Sequence, residues 1–131
     1  MSIDLFVNGT LMRGLALHRN LDGAEFLEAC ETAPRYRLYS IGDVHPGMFE
    51  VGPAESGVAV PGELYRLAED VLRRVEAGEP QHLYRGPVHL CDGRVVDGIL
   101  FPRDKAEGVH PDISSYRGWR AYLAARSGQG G

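Results

Sequence analysis

The chain opens with a short alternating stretch. Ile3, Leu5 and Val7 fall on one face and Asp4, Phe6 and Asn8 on the other, which predicts a strand that stops at Gly9. Arg13 to Leu21 reads as a helical turn or short helix. Phe26 to Ile41 is β-prone and interrupted at Pro34, so it predicts two strands or one bent strand. Gly42-Asp43 and His45-Pro46-Gly47 are turn signals. Pro61-Gly62 breaks the β-prone run from Val58 to Leu67 and predicts a bulge or corner. Tyr84 to Cys91 and Arg94 to Phe101 flank Asp92-Gly93, the strongest hairpin signal in the chain.

Two segments carry helical periodicity. From about Ala68 to Ala77, the residues Leu67, Val71, Leu72 and Val75 form one apolar stripe. Glu69 and Asp70 in the first turn and Arg73 and Arg74 near the last complement the helix dipole. Gly78 reads as a left-handed stop and Pro80 blocks continuation. A second helix is expected from about Ser114 to Arg126, anchored by Trp119, Tyr122 and Leu123, with Ser127 to Gly131 as a disordered tail. Strands outnumber helices without regular βαβ alternation. The pattern therefore predicts one α+β domain over residues 1–126, a mainly antiparallel sheet or barrel decorated by helices.

Bulk properties narrow the function. The 131 residues suit a single domain, and 44% hydrophobic content suffices for one core. The formal charge of −4 argues against nucleic acid or an anionic membrane surface as partner. No apolar run reaches the roughly 18 residues of a membrane helix, and the N-terminus lacks a signal-peptide pattern. Cys30 and Cys91 read as reduced, buried cysteines of a cytoplasmic protein. The five histidines show no tight metal spacing, so no metal site is expected.

Two places could carry chemistry. At Asn8-Gly9-Thr10-Leu11 the strand ends in Gly-Thr before a helical turn. Successive N–H groups there can face outward and bind a carboxylate or oxyanion; the alternative is an ordinary turn with Thr10 as N-cap. Gly9 permits positive φ and close ligand approach. Glu79 lies just past a helix C-terminus. The dipole and burial would both raise its pKa toward the range of a general base near neutral pH; the alternative is a solvated loop carboxylate. Arg35 and Arg37 share a strand face, and Glu63 and Tyr65 could point together into a barrel lumen or form a structural pair.

Phe6 to Leu11, Gly62-Glu63-Leu64-Tyr65, and Glu79 followed by Tyr84-Arg85 together resemble the γ-glutamylcyclotransferase-like family. That resemblance implies a small antiparallel β-barrel with surrounding helices. It implies a backbone loop of Asn8, Gly9, Thr10 and Leu11 with Tyr84 nearby to bind a small, carboxylate-bearing substrate. Glu79 would be the acid/base, with no cofactor. Asn8 departs from the Tyr that usually opens this loop, and Pro80 from the Gly that commonly follows the glutamate. Gly9 to Leu21, Thr32 to Tyr39 and Asp112 to Leu123 are similar to the C-terminal domain of allophanate hydrolase, whose fold is akin to the cyclotransferases. Glu79 is not expected in that domain. Three functions follow as expectations: a cyclotransferase, an enzyme acting on a small carboxylated carbamate-like molecule, or a non-catalytic module that keeps the pocket.

Overall fold

The computed structural model describes residues 2–129. The seven strands are β1 (Ser2–Val7), β2 (Glu25–Glu31), β3 (Tyr36–Ile41), β4 (His45–Glu50), β5 (Pro61–Ala68), β6 (Tyr84–His89) and β7 (Val95–Leu100). The α-helices are α1 (Glu69–Ala77), α2 (Arg103–Ala106) and α3 (Trp119–Gln129), and His18–Leu21 forms a 3₁₀ turn. The alternating segment at the N-terminus is the middle strand of a five-stranded sheet of order β2-β5-β1-β7-β6, and β3 and β4 make a separate ribbon. The domain is α+β, as the sequence pattern predicts.

The pairings are mainly antiparallel, as expected, with one parallel exception. β1 runs antiparallel to β5, with Leu5 opposite Tyr65, but parallel to β7, with Phe6 opposite Gly98. The sheet also curls. Its two edge strands approach at one end, where Thr32 bridges Leu90, Ala33 N–H donates to His89 O at 2.9 Å and Cys91 N–H to Glu31 O at 3.0 Å. Among the described residues the two edges of the sheet meet at this short contact.

Turn chemistry explains most connections. Gly42 (φ 62°) and Asp43 (φ 61°) are the central residues of the β3–β4 turn, which Val44 N–H closes onto Ile41 O at 3.1 Å, and both hold positive φ. Gly93 (φ 94°) turns β6 into β7. The second expected turn, at Pro46-Gly47, lies inside β4 instead. Pro46 opposes Ser40, whose N–H donates to Pro111 O at 2.9 Å, away from β4. The ladder therefore asks no N–H of residue 46, which is the position a strand proline tolerates. Pro61-Gly62 is a corner, not a bulge: the chain leaves a bridge to Tyr36 at Val58 and enters β5 at Pro61. A register shift occurs further along the strand, where Phe26 and Glu28 of β2 face Tyr65 and Leu64.

Helix α1 buries Leu72 and Val75 completely, with Val71 half-buried, so the predicted stripe faces the sheet. Gly78 is not left-handed; at φ −93° and ψ 0° it closes the helix by donating to Arg74 O and Val75 O. The expected C-terminal helix starts late. Ser114–Tyr116 is a single 3₁₀ turn, and Arg117 (φ 63°) and Gly118 (φ 114°) break the path before α3. Trp119 and Tyr122 are buried as expected. Ser127, placed in the tail by the sequence, still belongs to α3, and residues 130–131 lie outside the described residues. No helix among the described residues is long and apolar enough to cross a membrane.

Candidate functional site

Because β1 is central, the loop leaving Val7 emerges at the middle of the sheet's end. Asn8 is buried, and its side-chain amide donates to the Met48 sulfur at 3.2 Å, which ties the loop to the ribbon. Gly9 is required for a different reason from the one its sequence context suggests. Its backbone is not at positive φ; a Cβ there would sit 2.6 Å from Pro46 Cγ and Cδ, so only glycine lets the loop pass the ribbon. Met12 N–H closes a turn onto Gly9 O at 3.0 Å and Leu17 N–H reaches Thr10 O at 2.8 Å. The N–H groups of Thr10 and Leu11 have no protein acceptor among the described residues. Thr10 caps no helix with its side chain; the 3₁₀ turn begins only at His18.

Glu79 faces this loop across a small recess. Val7 to Leu11 form one wall, and Glu79, Leu83 and Ile99 form much of the other. The β4 residues His45 and Pro46 complete it. The recess is partly open and offers about 20 Å³, room for little more than one water-sized group. Glu79 is carried there by the turn after α1, in which its N–H donates to Glu76 O and Leu83 N–H to Pro80 O. His82 in that turn is held at φ 76°, a conformation that is costly for a non-glycine residue.

Glu79 Oε1 is buried and has no hydrogen-bond partner. Burial pushes its carboxyl up from 4.5 to about 7. A buried carboxyl without a compensating donor favours its neutral form, so this group exchanges a proton near neutral pH. His45 is the site residue that sequence reasoning did not single out. It is 6% exposed, and Nδ1 lies 2.9 Å from Pro46 O. A ring nitrogen facing a carbonyl must carry the proton, which leaves Nε2 as an acceptor. Burial lowers its pKa despite the favourable Pro46 contact, so the ring is neutral.

Other expected residues lie elsewhere. Tyr84 is 48% exposed at the start of β6 and does not line the recess. Leu83, the residue just before β6, lines the recess in its place. Arg35 and Arg37 pair with Glu50 and Asp112 at 3.4 and 2.6 Å, away from the recess. Glu63 and Tyr65 form a hydrogen-bonded pair at 2.9 Å. Cys91 is exposed, contrary to expectation, and Cys30 is half-buried.

The fold is that of the γ-glutamylcyclotransferase-like class of domain: a solved γ-glutamyl cyclotransferase is similar with TM-score 0.54 at 13% identity. Within that class the chain belongs to the allophanate hydrolase C-terminal domain family, whose model matches residues 3–124. It is 30% identical over 130 residues to urea amidolyase of Saccharomyces cerevisiae, covering 93% of this chain but 7% of that protein. It is 35% identical over 72 residues to a Vibrio cholerae protein named "Putative gamma-glutamylcyclotransferase", covering 55% of this chain and 57% of that one. Each of these curated relatives is thus longer than the part matched here. A solved structure of a uropathogenic E. coli-specific protein is similar end to end, with TM-score 0.89, 37% identity, and coverage of 95% of this chain and 97% of the other.

Proposed function

We propose that the chain is an enzyme that cyclises a γ-glutamyl-amine type substrate and releases an amine, with Glu79 as its proton carrier. One observation carries this reading: the unpartnered Glu79 carboxyl lines the same recess as the Gly9–Leu11 loop. The substrate's α-amine attacks its own γ-amide carbonyl, an amine leaves and 5-oxoproline forms. Glu79 takes the amine proton and returns it to the leaving nitrogen. Loop N–H groups hold the substrate and stabilise the charge that develops on the carbonyl oxygen. Because the attack is intramolecular, the protein supplies mainly orientation.

The assay incubates purified protein with a panel of γ-glutamyl-amines and measures 5-oxoproline. Product is expected from at least one, and its loss in Glu79→Gln. No product from any, or full activity in that variant, sinks the reading. Thermal stabilisation by these compounds without product assigns a binding module instead.

The size of the recess favours a second reading. About 20 Å³ accepts one head group more readily than a whole glutamyl chain. A small carboxylated carbamate-like substrate asks for less room than a glutamyl chain, in keeping with the family's link to allophanate hydrolase. Ammonia and carbon dioxide release from allophanate, measured with an added amidase, tests it. An unchanged rate and yield rejects it.

A further inference from the structure

The widest groove described in the molecule is not the Glu79 recess. It measures about 910 Å³ and lies between the start of α3 and the β5–β2 edge of the sheet, a size in the usual range for small-molecule sites of about 300–1,000 Å³. It also gathers sequence features that the proposed chemistry leaves unused. Arg13, the Gly62-Glu63 step and the Arg117–Ala121 segment all line it.

Glu63 organises its polar side. The residue is 4% exposed, and its carboxylate accepts from Arg13 N–H at 2.9 Å, Arg13 Nε at 3.1 Å, Tyr65 Oη at 2.9 Å and Arg120 Nη2 at 3.4 Å. Burial alone would raise this carboxyl, but the hydrogen bonds from Arg13 and Tyr65 hold it below its ordinary value, so it stays charged. Arg120 Nη1 also donates to Arg13 O at 3.0 Å, and the Arg13 guanidinium lies 4.0 Å from the Phe26 ring centroid. Two guanidiniums are therefore fixed in place while their side chains remain 56% and 53% exposed. Each keeps N–H donors free, because a guanidinium has five. A third, Arg117, sits on the left-handed turn before α3 and has no carboxylate partner among the described residues.

Three arginines thus line the groove against one glutamate, on a chain whose overall charge is −4. The remaining wall is apolar, formed by Met12, Ala29, Pro61 and Trp119. Arginine forks match carboxylate and phosphate oxygens, and holding them beforehand removes part of the ordering cost of binding. We propose that this groove binds a small organic anion, a carboxylate or phosphate carried on an apolar body, at a site separate from Glu79. The loop after β1 serves both places, with residues 8–11 walling the recess and 12–14 the groove.

Trp119 is the only tryptophan in the chain and lines the groove. Its single indole N–H NMR signal therefore reports binding directly. Titrating the intact protein with phenyl phosphate and with phenylacetate should move that signal saturably for at least one of them, and the two arms separate a phosphate from a carboxylate preference. Benzyl alcohol at equal concentration should not move it. Arg117→Gln and Arg120→Gln should each weaken binding about tenfold, the scale of one lost charge-assisted hydrogen bond. Arg117→Lys should bind between Arg117→Gln and wild type, and Glu79→Gln should bind as wild type does. Melting curves confirm that each variant is folded. Equal response to benzyl alcohol, unchanged affinity in Arg117→Gln, or loss of binding in Glu79→Gln overturns the proposal. Because Glu79→Gln removes the proposed turnover but not this binding, failure of either idea is visible separately.

Discussion

Replacing Glu79 by Gln removes a titrating group from the recess while keeping its size and shape. In the folded chain the carboxyl keeps its proton up to about pH 7, whereas the unfolded chain releases it near 4.5. Between these values the folded state binds more protons than the unfolded state, so stability falls as pH rises through that window. Below 4.5 the group contributes its full stability; above about 7 that stability is lost. At about 1.4 kcal/mol per pH unit, the loss comes to at most about 3 kcal/mol. The variant, neutral at every pH, escapes it. Urea denaturation of both proteins from pH 5 to pH 9 reads the difference, and every other titrating group cancels in the comparison. The variant should be more stable by roughly 1 kcal/mol at pH 5, where the unfolded carboxyl is already mostly ionised, and by about 3 kcal/mol above pH 8. A difference that does not change with pH would mean that Glu79 is solvated, and the acid–base assignment would fall with it.

Three further outcomes follow from the same geometry. Gly9→Ala forces a Cβ against Pro46 at 2.6 Å; a loss of about 1–3 kcal/mol in denaturation is expected, with weaker ligand-induced thermal shifts, and a neutral result would show that the loop can move aside. Tyr36→Phe removes the hydroxyl that accepts His89 N–H at 2.9 Å. Leaving that donor without its partner should cost about 1–3 kcal/mol in the same measurement, and no change would mean that water reaches it. Burial pushes the Cys30 thiol up to about 11, while Cys91 is exposed. At pH 8 a thiol-specific reagent should therefore modify Cys91 well before Cys30, and equal rates would contradict the described burial.

What could be read in advance was local. The stop after Val7, the Asp92-Gly93 hairpin and the apolar stripe of α1 are written in neighbouring residues, and each appears where expected. What could not be read depends on partners far along the chain. The parallel pairing of β1 with β7 joins residues some ninety positions apart. Pro46 reads as a turn until one knows that Ser40 points its N–H elsewhere. His45 carried no spacing signal, because a lone histidine becomes a site residue only when β4 packs beside the β1 loop. Tyr84 shows how one residue decides a face: Leu83, just before β6, lines the recess, while Tyr84 is exposed. Gly118 was the available clue to the late start of α3, since its φ of 114° is one that only glycine adopts easily.

The two proposed reactions ask opposite things of Glu79, and pH separates them. Cyclisation needs a base at the moment the amine attacks, so only the ionised form works and activity should rise with pH through about 7. Cleavage of a carboxylated carbamate needs a proton delivered to the departing nitrogen, so only the protonated form works and activity should fall through the same range. His45 does not confuse the result, because burial keeps it neutral there and its Nδ1 proton is committed to Pro46 O. A substrate carboxylate in so narrow a recess would raise the Glu79 pKa further by repulsion between like charges. The limb in kcat/KM, which reports the free enzyme, should therefore sit near 7, and the limb in kcat should lie above it. Measuring both profiles on whichever substrate turns over assigns the role of Glu79 by the sign of the limb. A limb that persists unchanged in the residual activity of Glu79→Gln would show that another group carries the proton.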